Sequence, residues 1–194
     1  YAVAEAWDQE CTDLACTGRY KTFTDVQSAP FNLLGPMCAE IGMDCVGDSQ
    51  DASYGFCPGI TFDDGEVWVA IGTLGTETGN ATYVGLGLNN FRLRLGAKNI
   101  DYTKLKGSAA FYGSIDNIDN LDKFFVYYFA RDCSGLEPWT HGNCADVEDS
   151  ELVLPLGDRG ALSERDYIVP GTARGPDSTA LLPSRALKLE VPEQ

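Results

Sequence analysis

The chain has 194 residues and carries 14 Lys and Arg against 29 Asp and Glu, a net charge of -15 with a single His. That balance excludes nucleic acid as a partner, because a strongly acidic surface repels a polyanion. With 44% hydrophobic residues, whole-length disorder is excluded too, and the length suits one domain with a core of its own.

The start, Tyr1-Ala2-Val3-Ala4-Glu5, lacks Met and a basic stretch and reads as the mature end left after signal-peptide removal. Short helical turns are expected within residues 1–11 and 37–42. No apolar run approaches the ~18 residues of a membrane span. Seven cysteines stand at Cys11, Cys16, Cys38, Cys45, Cys57, Cys133 and Cys144. Clustered cysteines in a Gly-rich acidic chain read as a disulfide framework in an oxidising compartment. Zinc would need two matched knuckles, and no second knuckle follows Cys11 and Cys16. Cys133 and Cys144 are the local pair, closing a loop around Trp139 and His141. The odd seventh cysteine offers a route to a disulfide-linked dimer. Asn80-Ala81-Thr82 is the one Asn-x-Ser/Thr sequon, so Asn80 is the expected glycosylation site. Together these features place the protein outside the cell, secreted.

In chain order, strands are expected over 66–71 and 81–88, with Asn89-Asn90 as a tight hairpin turn. Phe91-Arg92-Leu93-Arg94-Leu95 alternates, which predicts a strand that buries Phe91, Leu93 and Leu95 and exposes Arg92 and Arg94. Residues 107–113 form the next expected strand, and 117–123 one helical turn. Residues 124–130, Phe-Phe-Val-Tyr-Tyr-Phe-Ala, are apolar on both faces and predict an interior strand covered on each side. Further strands are expected at 152–156, 167–169 and 186–191. About eight strands and few helices predict a mainly β single domain, an antiparallel β-sandwich or β-barrel stabilised by disulfides. Residues 1–60 would form a cysteine-rich acidic segment packed on a β-core at 61–169. Residues 170–194 would form an extended C-terminal tail ending in an edge strand.

The charge is unevenly spread. Residues 1–90 carry a net of -11 and residues 91–194 a net of -4. Arg92, Arg94, Lys98, Lys104 and Lys106 give a local net of +4 over 92–106, an expected site for an anionic ligand or acidic partner. Trp68, Tyr83, Tyr112 and Tyr127 in strands, with Trp139 in the Cys133–Cys144 loop, are candidate ligand contacts. His141 is the sole imidazole, hence the candidate acid–base catalyst, with Asp132, Asp146 or Glu137 as partner. The acidic runs Asp116-Asp119-Asp122 and Asp146-Glu148-Asp149-Glu151 fit no EF-hand spacing. Gly85-Leu86-Gly87 lacks a dinucleotide fingerprint and reads as a bulge or a close backbone approach in a sheet. No Gly-x-Ser-x-Gly elbow occurs, and neither a cofactor nor a metal is expected. The sequence therefore predicts a secreted protein that binds a small molecule, a glycan or an extracellular protein through strand aromatics and the basic patch. The alternatives are a small secreted enzyme (hydrolase, cyclase or isomerase) with its chemistry in a β-barrel cavity, and a structural cell-surface protein.

Overall fold

A computed structural model describes residues 51–190 except 64, 91, 94, 115–117, 148–152 and 178–179, together with Val3 and the backbone at 11–12, 15–16, 26–27 and 29–30. Expectations about Cys38, Cys45, the side chains of Cys11 and Cys16, Phe91, Arg94, Asp116, Glu148, Asp149 and Glu151 fall outside these residues, as do nearly all of 1–11 and all of 37–42.

The protein is mainly β. Strands β1 (Cys11–Thr12) and β2 (Ala15–Cys16) pair with each other. The first large sheet runs β10 (Cys144–Asp146), β9 (Phe124–Ala130), β6 (Glu66–Thr73), β12 (Arg185–Glu190) and β3 (Val26–Gln27). It is antiparallel except for the parallel β10–β9 pair. The second sheet is antiparallel and runs β4 (Ala29–Pro30), β5 (Ala52–Ile60), β11 (Gly160–Tyr167), β7 (Tyr83–Asn90) and β8 (Leu95–Asp101). Neither sheet closes into a barrel. The α-helices among the described residues are single turns at Gly75–Thr78, Tyr102–Leu105 and Glu137–Thr140.

Strand β9 shows why the first sheet forms. Its seven residues alternate between two apolar environments. Phe125, Tyr127 and Phe129 enter a core shared with Val84, Leu86, Leu88 and Leu162 of the second sheet. Val126, Tyr128 and Ala130 enter a separate cluster with Val67, Val69, Tyr112 and Leu136. Burying each such large side chain contributes roughly 1.5–3 kcal/mol, so a strand with no polar position belongs between two covers. The outer cover comes from the 3-10 turn Ala110–Ser114 and from the loop closed by the Cys133–Cys144 disulfide. That loop places Leu136 and Trp139 against the outer cluster. The shared core leaves Gly72 no room for a side chain, since a Cβ there would stand 2.5 Å from the Phe125 ring.

Several expected elements differ. The described residues of 91–95 do not form a buried strand. Leu93 lies in a turn and is 37% exposed, and Leu95 opens β8 at 50% exposed. The hairpin turns beyond Asn89-Asn90, which remain in β7. The cause is Asn90, which is fully buried. Its amide donates to Val153 O at 2.8 Å and Asp158 Oδ2 at 2.9 Å, while its Oδ1 accepts the Leu93 N–H at 3.1 Å. An asparagine that satisfies three partners is a strand-end clamp, and the chain reverses after it. Residues 107–113 form turns and a 3-10 segment instead of a strand. The Ser108 hydroxyl donates to Leu105 O at 2.7 Å and accepts the Val126 N–H at 3.0 Å, which fixes the segment as a cover. The described part of 152–156 is turn, and 167–169 holds only the end of β11. The last strand is not an edge, because β12 pairs with β6 on one side and β3 on the other.

Asn90→Ala would leave Val153 O and Asp158 without the amide and the Leu93 N–H without its acceptor. It is expected to cost about 2–4 kcal/mol in urea unfolding. A loss below about 0.5 kcal/mol would mean that strand pairing alone sets this turn.

Candidate functional site

Strand β11 is the middle strand of the second sheet and pairs along its whole length with β5 and β7. Side chains alternate across a strand. Ser163, Arg165 and Tyr167 therefore face outward, while Leu162, Glu164 and Asp166 face the shared core.

The outward face is a trough. On β7 the outward residues are Tyr83, Gly85, Gly87 and Asn89, so two consecutive outward positions carry no side chain. Tyr83 takes up the space beside Gly85, and Ser163 Oγ and Asn89 Nδ2 that beside Gly87. The depression that remains is about 260 Å3, bounded by Tyr83, Asn89, Gly96, Lys98, Asn99, Ser163 and Arg165. A volume near the lower end of ligand pockets, roughly 300 Å3, holds one ring. The walls are ordered by their own contacts. Asn89 Nδ2 donates to Ser163 Oγ at 2.8 Å, and Tyr83 meets Tyr167 edge-on at 5.7 Å. The Arg165 guanidinium lies 4.9 Å from the Tyr54 ring centroid and 5.2 Å from that of Tyr167, and donates to the Tyr167 hydroxyl at 3.0 Å. These contacts hold the exposed cation in place while most of its N–H groups remain open to a ligand.

Directly behind the trough stand two carboxyls in the core. Glu164 is 6% exposed and Asp166 4%. Burial raises both above the usual carboxylate range, Asp166 to about 7, and the Asp166 charge raises Glu164 further. A hydrogen bond from the Ser184 side chain partly offsets the rise at Glu164. Asp166 Oδ1 has no hydrogen-bond partner. It is pressed against Gly75, where an added Cβ would stand 2.5 Å away.

The sequence-derived site residues do not converge. Trp68, Tyr112 and Tyr127 are 3, 2 and 5% exposed, which takes them out of a ligand's reach. The Trp68 indole N–H donates to Thr61 O at 2.7 Å. The Tyr112 and Tyr128 hydroxyls meet at 2.5 Å, and burial pushes the Tyr112 phenol up to about 12. The basic stretch is divided among separate tasks. Arg92 pairs with Asp158 at 2.7 Å and Lys106 with Glu77 at 2.9 Å, while Lys98 borders the trough. Of the candidate contacts, only Tyr83 stands in the trough.

His141 is exposed, caps the Glu137–Thr140 turn in the left-handed region, and stacks on Phe111 with centroids 3.6 Å apart. Asp132 is exposed, and the Ser134 side chain and N–H hold its carboxyl below the usual range. Asp146 is exposed at the end of β10, and Trp139 packs under the disulfide loop. Asn80 is half-buried after the Gly75–Thr78 turn, with its N–H on Gly75 O at 2.8 Å. Cys57 carries a thiol buried in the shared core, its Sγ 4.0 Å from Ser184 O, and that burial closes it to a second chain. Among the described residues no cluster of three or more His, Cys, Asp or Glu has the arrangement of a metal site. No described helix is long and apolar enough to cross a membrane.

Sequence reasoning missed Arg165, Tyr167, Tyr54, Ser163, Glu164 and Asp166. The available signal was the polar run Ser163-Glu164-Arg165-Asp166-Tyr167, which alternates in sign but shows no apolar face. No protein-family model, curated protein or solved structure matches the chain.

The buried carboxyls set a direction for stability. Their folded-state affinity for protons exceeds that of the unfolded chain. Their contribution to stability is therefore fully present below the unfolded carboxylate value, about 4, and is lost as pH rises to the folded value near 7. The melting temperature is expected to be highest in acid and to fall towards pH 8. Asp166→Asn, which keeps the shape without the charge, is expected to recover on the order of 3 kcal/mol at pH 8. A melting temperature that climbs from pH 4 to 8 would contradict the assignment.

Proposed function

We propose that this protein is a secreted, saccharide-binding β-sandwich whose ligand is a short acidic sugar seated in the trough on the outer face of β11 and β7. One observation carries the reading: a one-ring depression over Gly85, Gly87 and Gly96, walled by Tyr83 and by an arginine held between two tyrosine rings. Each part matches a part of such a ligand. Gly96, with nothing nearer its absent Cβ than Asn89 Oδ1 at 3.7 Å, lets a flat ring approach the backbone. Tyr83 offers an apolar face to the C–H side of a pyranose. Asn89, Asn99 and Ser163 offer donors and acceptors to hydroxyls. The Arg165 guanidinium offers a planar fork that fits a carboxylate, with Lys98 beside it.

The net charge of -15 limits ligand length, since a long polyanion would meet repulsion beyond the trough. The Cys133–Cys144 disulfide supports an oxidising compartment, and the Asn80 sequon is in keeping with a glycosylated secreted chain. Acid–base catalysis by His141 draws no support from its place on Phe111, and a purely structural role leaves the trough without a use.

Titration with glucuronate and galacturonate and their short oligomers, with glucose and galactose as neutral controls, tests the reading. The acidic sugars are expected to bind at ~1 mM or tighter. Arg165→Ala is expected to weaken them at least about tenfold while sparing any neutral-sugar binding. Gly96→Val fills the trough and is expected to abolish binding with the fold intact, because a Cβ at Gly96 meets nothing closer than Asn89 Oδ1 at 3.7 Å. Absence of any saccharide binding, or binding indifferent to both substitutions, would overturn the proposal.

A further inference from the structure

The trough and the buried carboxyls share one strand. Arg165 and Tyr167 alternate with Glu164 and Asp166, so any change in how β11 sits against the core moves the trough wall. β11 is also the strand on which the second sheet depends, being hydrogen-bonded on both edges across eight residue pairs to β7 and eight to β5. We propose that Glu164 and Asp166 form a proton-operated latch that holds β11 and its trough in place in acid and loosens them as the pH rises through neutrality. The proposal rests on the saccharide-binding reading for its functional output, but not for the motion itself.

The geometry requires the dependence. Two carboxyls at alternate positions of one strand point into the same apolar layer. The core on that side of the sheet includes Trp68, Ala70, Phe125 and Phe129, none of which can take up or balance charge. The shared core also holds the Tyr127 phenol and the Cys57 thiol, and Asp51, two residues before Ser53, has a buried Oδ1 without a hydrogen-bond partner. Tyr127 is raised by burial and by Asp101, so it stays neutral with the pair. Ser53, on β5 opposite Asp166, and Ser184 supply hydroxyls without charge. No Lys, Arg or His among the described residues acts on either carboxyl. Asp166 Oδ1 lies beside Gly75 with no hydrogen-bond partner. With both groups protonated the layer is neutral. With both ionised, two like charges share a desolvated space, and the available relief is for β11 to lift and admit water. The ligand-facing groups do not share this dependence, because Arg165 stays charged throughout and a uronate is ionised on both sides of the transition.

Hydrogen–deuterium exchange of β11 at pH 5 and pH 8, corrected for intrinsic rates, tests the latch in the intact protein. It is run on wild type, Glu164→Gln, Asp166→Asn and the double variant, whose amides mimic the protonated acids. Wild-type β11 is expected to lose protection by up to about tenfold per pH unit for each ionising group, relative to β9. The double variant is expected to show the same protection at both pH values. Equal wild-type protection at pH 5 and pH 8, or a double variant that loosens like wild type, overturns the latch. Galacturonate and glucuronate titrations on the same four proteins test the coupling. Affinity should fall with pH in wild type and hold in the double variant. Loosening of β11 with unchanged affinity overturns the coupling. Absence of binding by every protein at both pH values counts against the saccharide reading alone, and the exchange result then decides the latch.

Discussion

The constraint on which the second sheet depends is that β11 must satisfy two opposed environments through one period-2 alternation. Its inward positions meet the apolar layer and its outward positions meet water. In most half-buried strands the inward set is apolar and the conflict never arises. Here Leu162 meets that requirement and Glu164 and Asp166 do not. An ionised carboxyl is costly there without a partner, so burial raises the proton affinity of both groups. The proton is therefore part of the packing of the second sheet, in the same sense as a methyl group is part of the packing of the first.

The first sheet solves the opposite problem. β9 has no charged side chain, and its Tyr128 hydroxyl is met by that of Tyr112, so it takes cover on both faces. The second sheet supplies one cover. Chain that is not strand supplies the other: the Ala110–Ser114 turn, the Ser108 bridge from Leu105 O to the Val126 N–H, and the loop tied by Cys133 and Cys144. The disulfide thus acts less on the sheet than on its lid. It keeps Leu136 and Trp139 seated over Val126 and Tyr128, where a loop of that length would otherwise open to water. The charged residues that the sequence places near this region, Asp132 and His141, fall on the outside of the lid and take their geometry from it.

Much of the fold was legible in the residues. Strands at 66–71, 81–88 and 124–130, the two-faced burial of β9, the pairing of Cys133 with Cys144 and the scarcity of helix all follow from apolar pattern and spacing. The misreadings share a physical cause. Phe91 to Leu95 alternates like a strand, but one buried asparagine commits the chain to turn first. Residues 107–113 look β-like because they are small and aromatic, yet a serine hydroxyl ties them down as a cover. β5, with Gly55, Pro58 and Gly59, and β11, with its charged run, lack the apolar signature. They are strands because neighbours on both sides supply hydrogen bonds. The site was hidden for the same reason. Its lining mixes glycines with Tyr83, Asn89 and Ser163, residues far apart in sequence, and its cation lies in the run that reads as loop.

The uneven charge gains a meaning from this arrangement. The chain as a whole is strongly acidic, and two of its basic side chains near the second sheet are committed, Arg92 to Asp158 and Lys106 to Glu77. Arg165 differs because its described contacts are tyrosine rings and a hydroxyl, which orient a guanidinium without neutralising it. In the proposed saccharide reading, a cation held by neutral groups in an acidic field would favour a small anion. The near field of the trough attracts one carboxylate, while the far field of the protein repels a chain of them. The ionic strength of the medium separates these two effects, since screening acts on the far field first and leaves a contact at hydrogen-bond distance largely intact. Under that proposal, selection by length would depend on where the carboxylates of this protein are not, as much as on where its arginine is.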